Sequence, residues 1–324
     1  MDALARGVSP GSGGSRLLRG NCAEHLGLET DAARFFGTES ALFVGSGFAA
    51  NSLVVSTLPQ ANDLILHDEL IHASVHEGMR MARAPCQNFA HNDVDAAADA
   101  IARWRASGGC GTPWISFETL YSMDGDVAPV EDFASLAERT GAMLLIDEAH
   151  AVGVCGPEGR GLAAHLHGCD NVVTLVTCGK ALGCEGALIL APTVFRDFLV
   201  NRGRSFIFST APSPLIAAIV RESLSIVAGA DDRRERLRQI IEHAHGRLAP
   251  LGIPPSGTHI QPVPIGEDSR TMRIAEALQA RGFDIRGIRP PTVPAGTARL
   301  RVSLTLNIDE AAVSELAIAL EDLL

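Results

Sequence analysis

The sequence predicts an α/β protein, with a largely parallel sheet in a large N-terminal domain and a smaller C-terminal α/β domain. Three observations predict it. Apolar strand-like runs alternate with helical stretches from about residue 30 onward, the order in which helices pack on a parallel sheet. The 324 residues are 46% hydrophobic and 20% charged, enough apolar surface for a buried core and too much for wholesale disorder. The pattern changes near residue 227: a polar helical stretch begins at Ala228, and Pro254, Pro255 and Gly257 follow. Domains of 1–227 and 228–324 are expected.

Taken in order, Ala41 to Val44 reads as a short strand and Trp114 to Phe117 as another. Between Pro129 and the next strand, Val130 to Thr140 opens with acids and reads as a helix. Met143 to Ile146 is a buried apolar run that ends in Asp147. Val172 to Val176 and Ala187 to Leu190 are two further strands. Beyond the polar helix of Ala228 to Arg236, strand-like runs recur at Ile260 to Ile265 and Leu300 to Leu306. The string Gly11 to Ser15, GSGGS, reads equally as a linker or as backbone that must approach a ligand or a partner subunit closely.

Composition excludes several classes. The formal net charge is -11, and the densest basic cluster, Arg233, Arg234, Arg236 and Arg238, is interleaved with acids. That is a solvated helix face and no track for nucleic acid. Seven cysteines (Cys22, Cys86, Cys110, Cys155, Cys169, Cys178, Cys184) form no CxxC pair, which reads as reduced thiols of a cytoplasmic protein. Apolar runs are too short to span a bilayer, and the N-terminus lacks an export pattern.

Chemistry concentrates in LLIDEAH, Leu144 to His150. An apolar strand delivers Asp147 at its C-terminal end, the edge where open α/β sheets bind ligands, and His150 follows three residues later. Three readings stand: a turn-capping Asp, the DEAH box of a helicase, or an Asp paired with a protonated ring nitrogen of a cofactor. The helicase reading needs an upstream GxxxxGK[ST] loop, and none is present. Lys180 favours the cofactor. It follows VVTLVT in the turn Thr177-Cys178-Gly179-Lys180, amid small and apolar residues. Desolvation there would lower its pKa and leave an amine able to form a Schiff base; a lysine snorkelling at a strand end is the alternative. Ser46 to Asn51 follows a strand and opens a helical stretch whose N–H groups suit a phosphate. His72 and His76 have the i, i+4 spacing of a metal pair without a convincing third ligand, so no metal site is assigned. His165, His167, His243 and His245 lie in polar contexts and read as surface residues.

Together these strings resemble the α-oxoamine synthase family. They are GSGGSR (Gly11 to Arg16), SGFAAN (Ser46 to Asn51), HAS (His72 to Ser74), FAHNDV (Phe89 to Val94), SMDGD (Ser122 to Asp126), DEAHAVGVCGPEGRG (Asp147 to Gly161), TCGK (Thr177 to Lys180) and FST (Phe208 to Thr210). The resemblance implies the aspartate-aminotransferase-like fold (fold type I) of pyridoxal 5'-phosphate enzymes, and a homodimer with sites at its interface. It also implies roles. Lys180 holds the cofactor and later acts as base; Asp147 faces the pyridine nitrogen; His150 bonds the phenolic oxygen; His72 stacks over the ring and touches substrate. Gly47, Phe48, Ser122 and Thr177 contact cofactor, Thr292 lies near substrate, and Arg301 takes the amino-acid carboxylate.

Ile288 to Leu304, IRPPTVPAGTARLRVSL, resembles the branch that makes 8-amino-7-oxononanoate for biotin. That implies decarboxylative condensation of L-alanine with pimeloyl-CoA or its carrier-protein equivalent. Branches that use glycine with an acetyl or succinyl thioester, and a catalytically silent relative that only dimerises or binds a partner, are the alternatives. One departure stands out. The family pattern extends several dozen residues before GSGGSR and includes a substrate-binding arginine with no match here. The expectation is a chain that folds and binds cofactor with an incomplete substrate end.

Overall fold

The computed structural model describes residues 5–324. They form two compact units. The first runs to Leu120 and continues over Ala128–Ala230; the second takes Tyr121–Val127 and Asp231–Leu324.

The first unit is built on a seven-stranded sheet: β1 (Ser40–Val44), β2 (Leu64–Asp68), β3 (Cys86–Phe89), β4 (Pro113–Glu118), β5 (Met143–Asp147), β6 (Val172–Thr177) and β7 (Ala187–Ala191), in the order β1-β7-β6-β5-β4-β2-β3. The pairs from β3 through β6 are parallel, and β7 runs antiparallel to both β6 and β1. The central strands are buried at all but a terminal residue of β5 and of β6, as expected of a sheet covered on both faces. One face packs Leu53, Val55, Leu145 and Ile189 into a core. The other packs Leu28, Phe36, Phe43, Val176 and Leu188. The helix Val130–Thr140 has the bounds its acids and Pro129 predict, and it stops at Gly141 in the left-handed region, φ 68°.

GSGGSR makes a close backbone contact. Ala211 N–H donates to the Gly14 carbonyl at 2.9 Å, and Ser12 Oγ donates to the Ala211 carbonyl at 2.8 Å. A Cβ on Gly20 would sit 2.0 Å from the Gly14 oxygen, so the segment is packed against its own chain and is not a free linker.

The second unit holds an antiparallel sheet, β8 (Ile260–Gly266), β9 (Arg286–Ile288) and β10 (Ala298–Ser303), in the order β8-β10-β9. The helices Asp231–Leu248, Asp268–Ala280 and Glu310–Glu321 share a core with it that includes Ile240, Val263, Leu278, Leu300 and Leu316. Tyr121–Val127 belongs here through its own bonds. Thr258 Oγ1 donates to the Gly125 carbonyl at 2.8 Å, and Arg299 pairs with Asp124. Gly125 has φ +71°, and a Cβ there would meet the Ile260 oxygen at 2.0 Å; no other residue fits that turn.

Among the described residues no helix is long and apolar enough to cross a membrane, and all seven cysteines are free.

Candidate active site

Parallel pairing brings the C-terminal ends of β4, β5 and β6 to one edge. Glu118 ends β4 opposite Asp147, which ends β5, and Asp147 lies opposite Leu175 of β6. The Thr177–Lys180 turn leaves from the end of β6. The two residues that sequence spacing singled out, Asp147 and Lys180, therefore leave neighbouring strands at the same edge.

Asp147 is 7% exposed. Its Oδ1 accepts Ala149 N–H at 2.9 Å, which makes the tight turn after the strand, and its Oδ2 accepts Asn51 Nδ2 at 2.7 Å. The turn-capping reading describes Oδ1, while Oδ2 is held by the Asn51 amide. Asn51 also donates to Ser74 Oγ at 3.0 Å. Ser74 Oγ lies 2.7 Å from His72 Nδ1. His72 is the N-cap of the helix Ala73–Met81, accepting Ser74 N–H at 3.2 Å. It therefore precedes the helix that carries His76, whose ring packs edge-on against His67 at 5.1 Å. Burial holds the His72 imidazole below its ordinary pKa; Asp147 opposes this and Lys180 adds to it.

Lys180 is exposed within the single chain. Desolvation by the chain's own packing, the argument the sequence suggests for a neutral amine, is not what this turn supplies. The turn is closed by Cys184 N–H to the Cys178 carbonyl at 2.8 Å and Gly183 N–H to the Lys180 carbonyl at 2.9 Å. Cys178 beneath it is buried, and its thiol is pushed up to about 12 by burial. His150 is half-buried three residues beyond Asp147.

The helix Gly47–Thr57 begins beside the same turn. Ser46 caps it, accepting Ala49 N–H at 3.1 Å. A Cβ on Gly47 would lie 3.4 Å from Thr177 Oγ1, so the helix N-terminus and the Thr177 hydroxyl adjoin. Phe48 next to it is 50% exposed. Free N–H groups plus a hydroxyl are a donor set for a phosphate.

Two buried carboxylates escaped the sequence reading as site residues. Glu118 is 3% exposed. Burial, then the charge of Asp147, raises its pKa well above the usual carboxylate range, against a bond from His72 N–H. Glu148, the Glu of DEAH, is fully buried; it accepts Ala163 N–H at 2.5 Å, Thr119 Oγ1 at 2.8 Å and Leu162 N–H at 3.1 Å. It ties the loop after β5 back to the sheet, a structural anchor and not a helicase's metal or water ligand. His167 is another departure: it packs edge-on against Phe36 at 5.6 Å, and burial lowers its pKa to about 4. Of the other three, His165 is exposed and pairs with Glu131 at 2.9 Å, while His243 and His245 are half-buried.

Ser122, Thr292 and Arg301 belong to the second unit. Arg301 donates from Nε to the Ser122 carbonyl at 2.5 Å and from Nη1 to Ser303 Oγ at 2.9 Å. Among the described residues no carboxylate pairs with it, whereas Arg299 is committed to Asp124. Burial lowers the Arg301 pKa, the cost of holding a charge without a counter-ion. Thr292 is exposed in a turn, donating its N–H to the Arg289 carbonyl at 3.0 Å.

Residues 2–320 match the family model for aminotransferase class I and II. The chain belongs to that family, in its α-oxoamine synthase branch. Within it, the chain is 43% identical over 300 residues to the 8-amino-7-oxononanoate synthase of Chromobacterium violaceum, covering 91% of this chain and 76% of that enzyme. To the enzyme of the same name from Burkholderia thailandensis it is 42% identical over 327 residues, 98% of this chain and 82% of that one. Among solved structures of this family, the serine palmitoyltransferase of S. paucimobilis with bound PLP-myriocin aldimine superposes with a TM-score of 0.92 at 27% identity, covering 99% of this chain and 81% of that one. The 8-amino-7-oxononanoate synthase of Francisella tularensis shares the fold with a TM-score of 0.78 at 24% identity, covering 95% and 88%.

Proposed function

We propose that the chain is a pyridoxal 5'-phosphate-dependent C-acyltransferase. It joins L-alanine to a pimeloyl thioester, from CoA or a carrier protein, with loss of CO₂ and the free thiol, to give 8-amino-7-oxononanoate for biotin. The observation that carries the reading is the shared strand edge at which Asp147 and Lys180 end up. The donor set there fits the cofactor: a buried carboxylate for a protonated ring nitrogen, a primary amine for an aldehyde, and a helix N-terminus with Thr177 for a phosphate. When bound, this cofactor supplies an electron sink for the bond-breaking steps at the amino-acid Cα.

The chain's own residues do the rest. Asp147 keeps the ring nitrogen protonated, and the Asn51 bond fixes its free orientation. Lys180 Nζ would hold the cofactor and would serve as the base for the Cα proton of the amino acid. Gly47, Phe48 and Thr177 hold the phosphate end, with Ser122 as a further contact, and His150 bonds the phenolic oxygen. His72 stacks on the ring and contacts substrate with Thr292. Arg301 takes the amino-acid carboxylate, for which its fork geometry and its lack of a carboxylate partner suit it.

We also assign a homodimer and a cytoplasmic location. Leu18 and Phe208 are 82% and 72% exposed, and the Ser15–Thr210 bridge joins their segments; apolar surface of this kind favours a second copy.

The test supplies the cofactor-loaded protein with L-alanine and pimeloyl-CoA, or pimeloyl-carrier protein, and identifies products by mass spectrometry. Glycine with acetyl- or succinyl-CoA, and L-serine with palmitoyl-CoA, are run in parallel. 8-Amino-7-oxononanoate is the expected product; turnover only with glycine or serine would move the assignment to a sister activity.

A further inference from the structure

Four side chains of the first unit form a continuous hydrogen-bonded line that ends on His72. Asp147 stands at the end of β5, Asn51 on the helix Gly47–Thr57, and Ser74 on the helix Ala73–Met81. Asn51 Nδ2 donates to Asp147 Oδ2 at 2.7 Å and to Ser74 Oγ at 3.0 Å. His72 Nδ1 lies 2.7 Å from Ser74 Oγ and 3.2 Å from Ser74 N. Asn51 and Ser74 are buried, Ser74 completely.

Valence decides where the hydrogens go. An ionised Asp147 only accepts, so Asn51 must turn its amide nitrogen towards it, and the second N–H of that group is the one that reaches Ser74. Ser74 Oγ accepts there and directs its own hydrogen to His72 Nδ1. The Ser74 backbone N–H has no alternative but to donate, and it points at the same ring nitrogen. Two donors therefore converge on Nδ1, which carries a lone pair and no proton. In the neutral ring the proton sits on Nε2.

We propose that Asn51 and Ser74 are positioning residues that lock His72 as the Nε2–H tautomer, anchored on Asp147. What the fixed ring contributes to turnover rests on the function proposed above; the tautomer itself does not.

The groups facing His72 agree with this arrangement. Glu118, at the end of β4, accepts the His72 backbone N–H and fixes the main chain. Lys180 and Asp147 act on the ring with opposite signs. Protonating Nδ1 would set its hydrogen against the Ser74 backbone N–H, which can only donate, and this disfavours the charged ring in addition to burial.

The experiment uses ¹⁵N-histidine-labelled, cofactor-free protein and two-bond ¹H–¹⁵N correlation spectra across pH. His72→Gln assigns the His72 signals among the 11 histidines. Wild type should show one Nε2–H tautomer that titrates below an ordinary histidine. Ser74→Ala should give a tautomer mixture and an upward-shifted titration, and Ser74→Thr should restore both. Asn51→Ala is the second variant, expected to loosen the tautomer less; thermal midpoints recorded alongside identify any variant that has lost its fold. With cofactor and substrates, Ser74→Ala should lower kcat/KM about fivefold, the size of one lost hydrogen bond, at unchanged cofactor content. A wild-type His72 with its proton on Nδ1 overturns the proposal, as does a folded Ser74→Ala whose tautomer and titration match wild type. Wild type that shows the locked tautomer but makes no product from L-alanine and a pimeloyl thioester retains the positioning assignment and refutes the substrate reading alone.

Discussion

At the scale of single residues, the proposed function rests on Lys180 and Asp147, and their variants should fail differently. Lys180→Ala removes the amine assigned to hold the cofactor. The purified protein should lose its near-visible absorbance, and borohydride reduction of wild type followed by peptide mapping should label Lys180; a label on another lysine would refute the assignment. Asp147→Asn keeps shape and the Asn51 contact partner but cannot hold a proton on a ring nitrogen. Turnover should fall by about 100-fold or more while part of the cofactor stays bound, and near-normal turnover would remove the role. Their place at one sheet edge was legible in the sequence because Asp147 ends an apolar strand and Lys180 follows another in a short turn, and a strand end has a predictable place. Asn51, Ser74 and Glu118 were not. Asn51 meets Asp147 across 96 residues of chain, a contact that depends on the helix Gly47–Thr57 packing on the sheet. The exposure of Lys180 was also hidden.

Most continuously buried strands were legible, but β2, Leu64–Asp68, is buried throughout and was not anticipated; its run carries His67 and Asp68 among the apolar residues. The strands Pro113–Glu118, Met143–Asp147, Val172–Thr177 and Ala187–Ala191 were all anticipated from apolar runs. The edge strand β3, Cys86–Phe89, is mostly exposed and carries no apolar signal to read. β10 was placed too far along the chain, because Leu304 and Leu306 look like strand residues. Leu304 is 1% exposed but lies past the strand, donating its N–H to the His259 carbonyl at 2.8 Å; the strand itself is Ala298–Ser303. The loop after β5 illustrates what a motif match leaves out. Its Glu148 is an anchor, and three donors on its carboxylate do not offset burial, which raises its pKa from 4.5 to about 7. A carboxyl with a raised folded pKa stabilises fully below the unfolded value, and that contribution is lost as pH rises through the folded one. Unfolding free energy should therefore fall between pH 4.5 and 7 by on the order of 3 kcal/mol from this group. Chemical denaturation of wild type and Glu148→Gln across that window checks it: the variant should lack the slope, and parallel curves would place the titration elsewhere.

Across the whole molecule, the roles assigned by resemblance are spread over both units. Lys180, Asp147, His150, His72, Gly47, Phe48 and Thr177 lie in the first; Thr292 and Arg301 lie in the second, with the cofactor contact Ser122. Variants of Thr292 and Arg301 should alter the demand for substrate and leave cofactor content intact, and Arg301 is the sharpest test. Two arginines alternate on β10 with the buried Ala298, Leu300 and Val302, so sequence alone cannot choose between them. Charge pairing does. Arg299 is neutralised by Asp124, and removing it frees a segment end. Arg301 is held by a carbonyl and a hydroxyl, which orient a guanidinium without neutralising it. A bound carboxylate would supply the missing charge. Arg301→Ala should raise the KM for L-alanine about 30-fold, the equivalent of a charge-assisted pair worth about 2 kcal/mol, with cofactor absorbance unchanged. Arg299→Ala should leave that KM near wild type and lower thermal stability. Steady-state kinetics with both variants, alongside cofactor titration, separates the cases. If Arg301→Ala keeps its alanine KM while Arg299→Ala raises it, the carboxylate partner is Arg299 and its bond to Asp124 must open on binding.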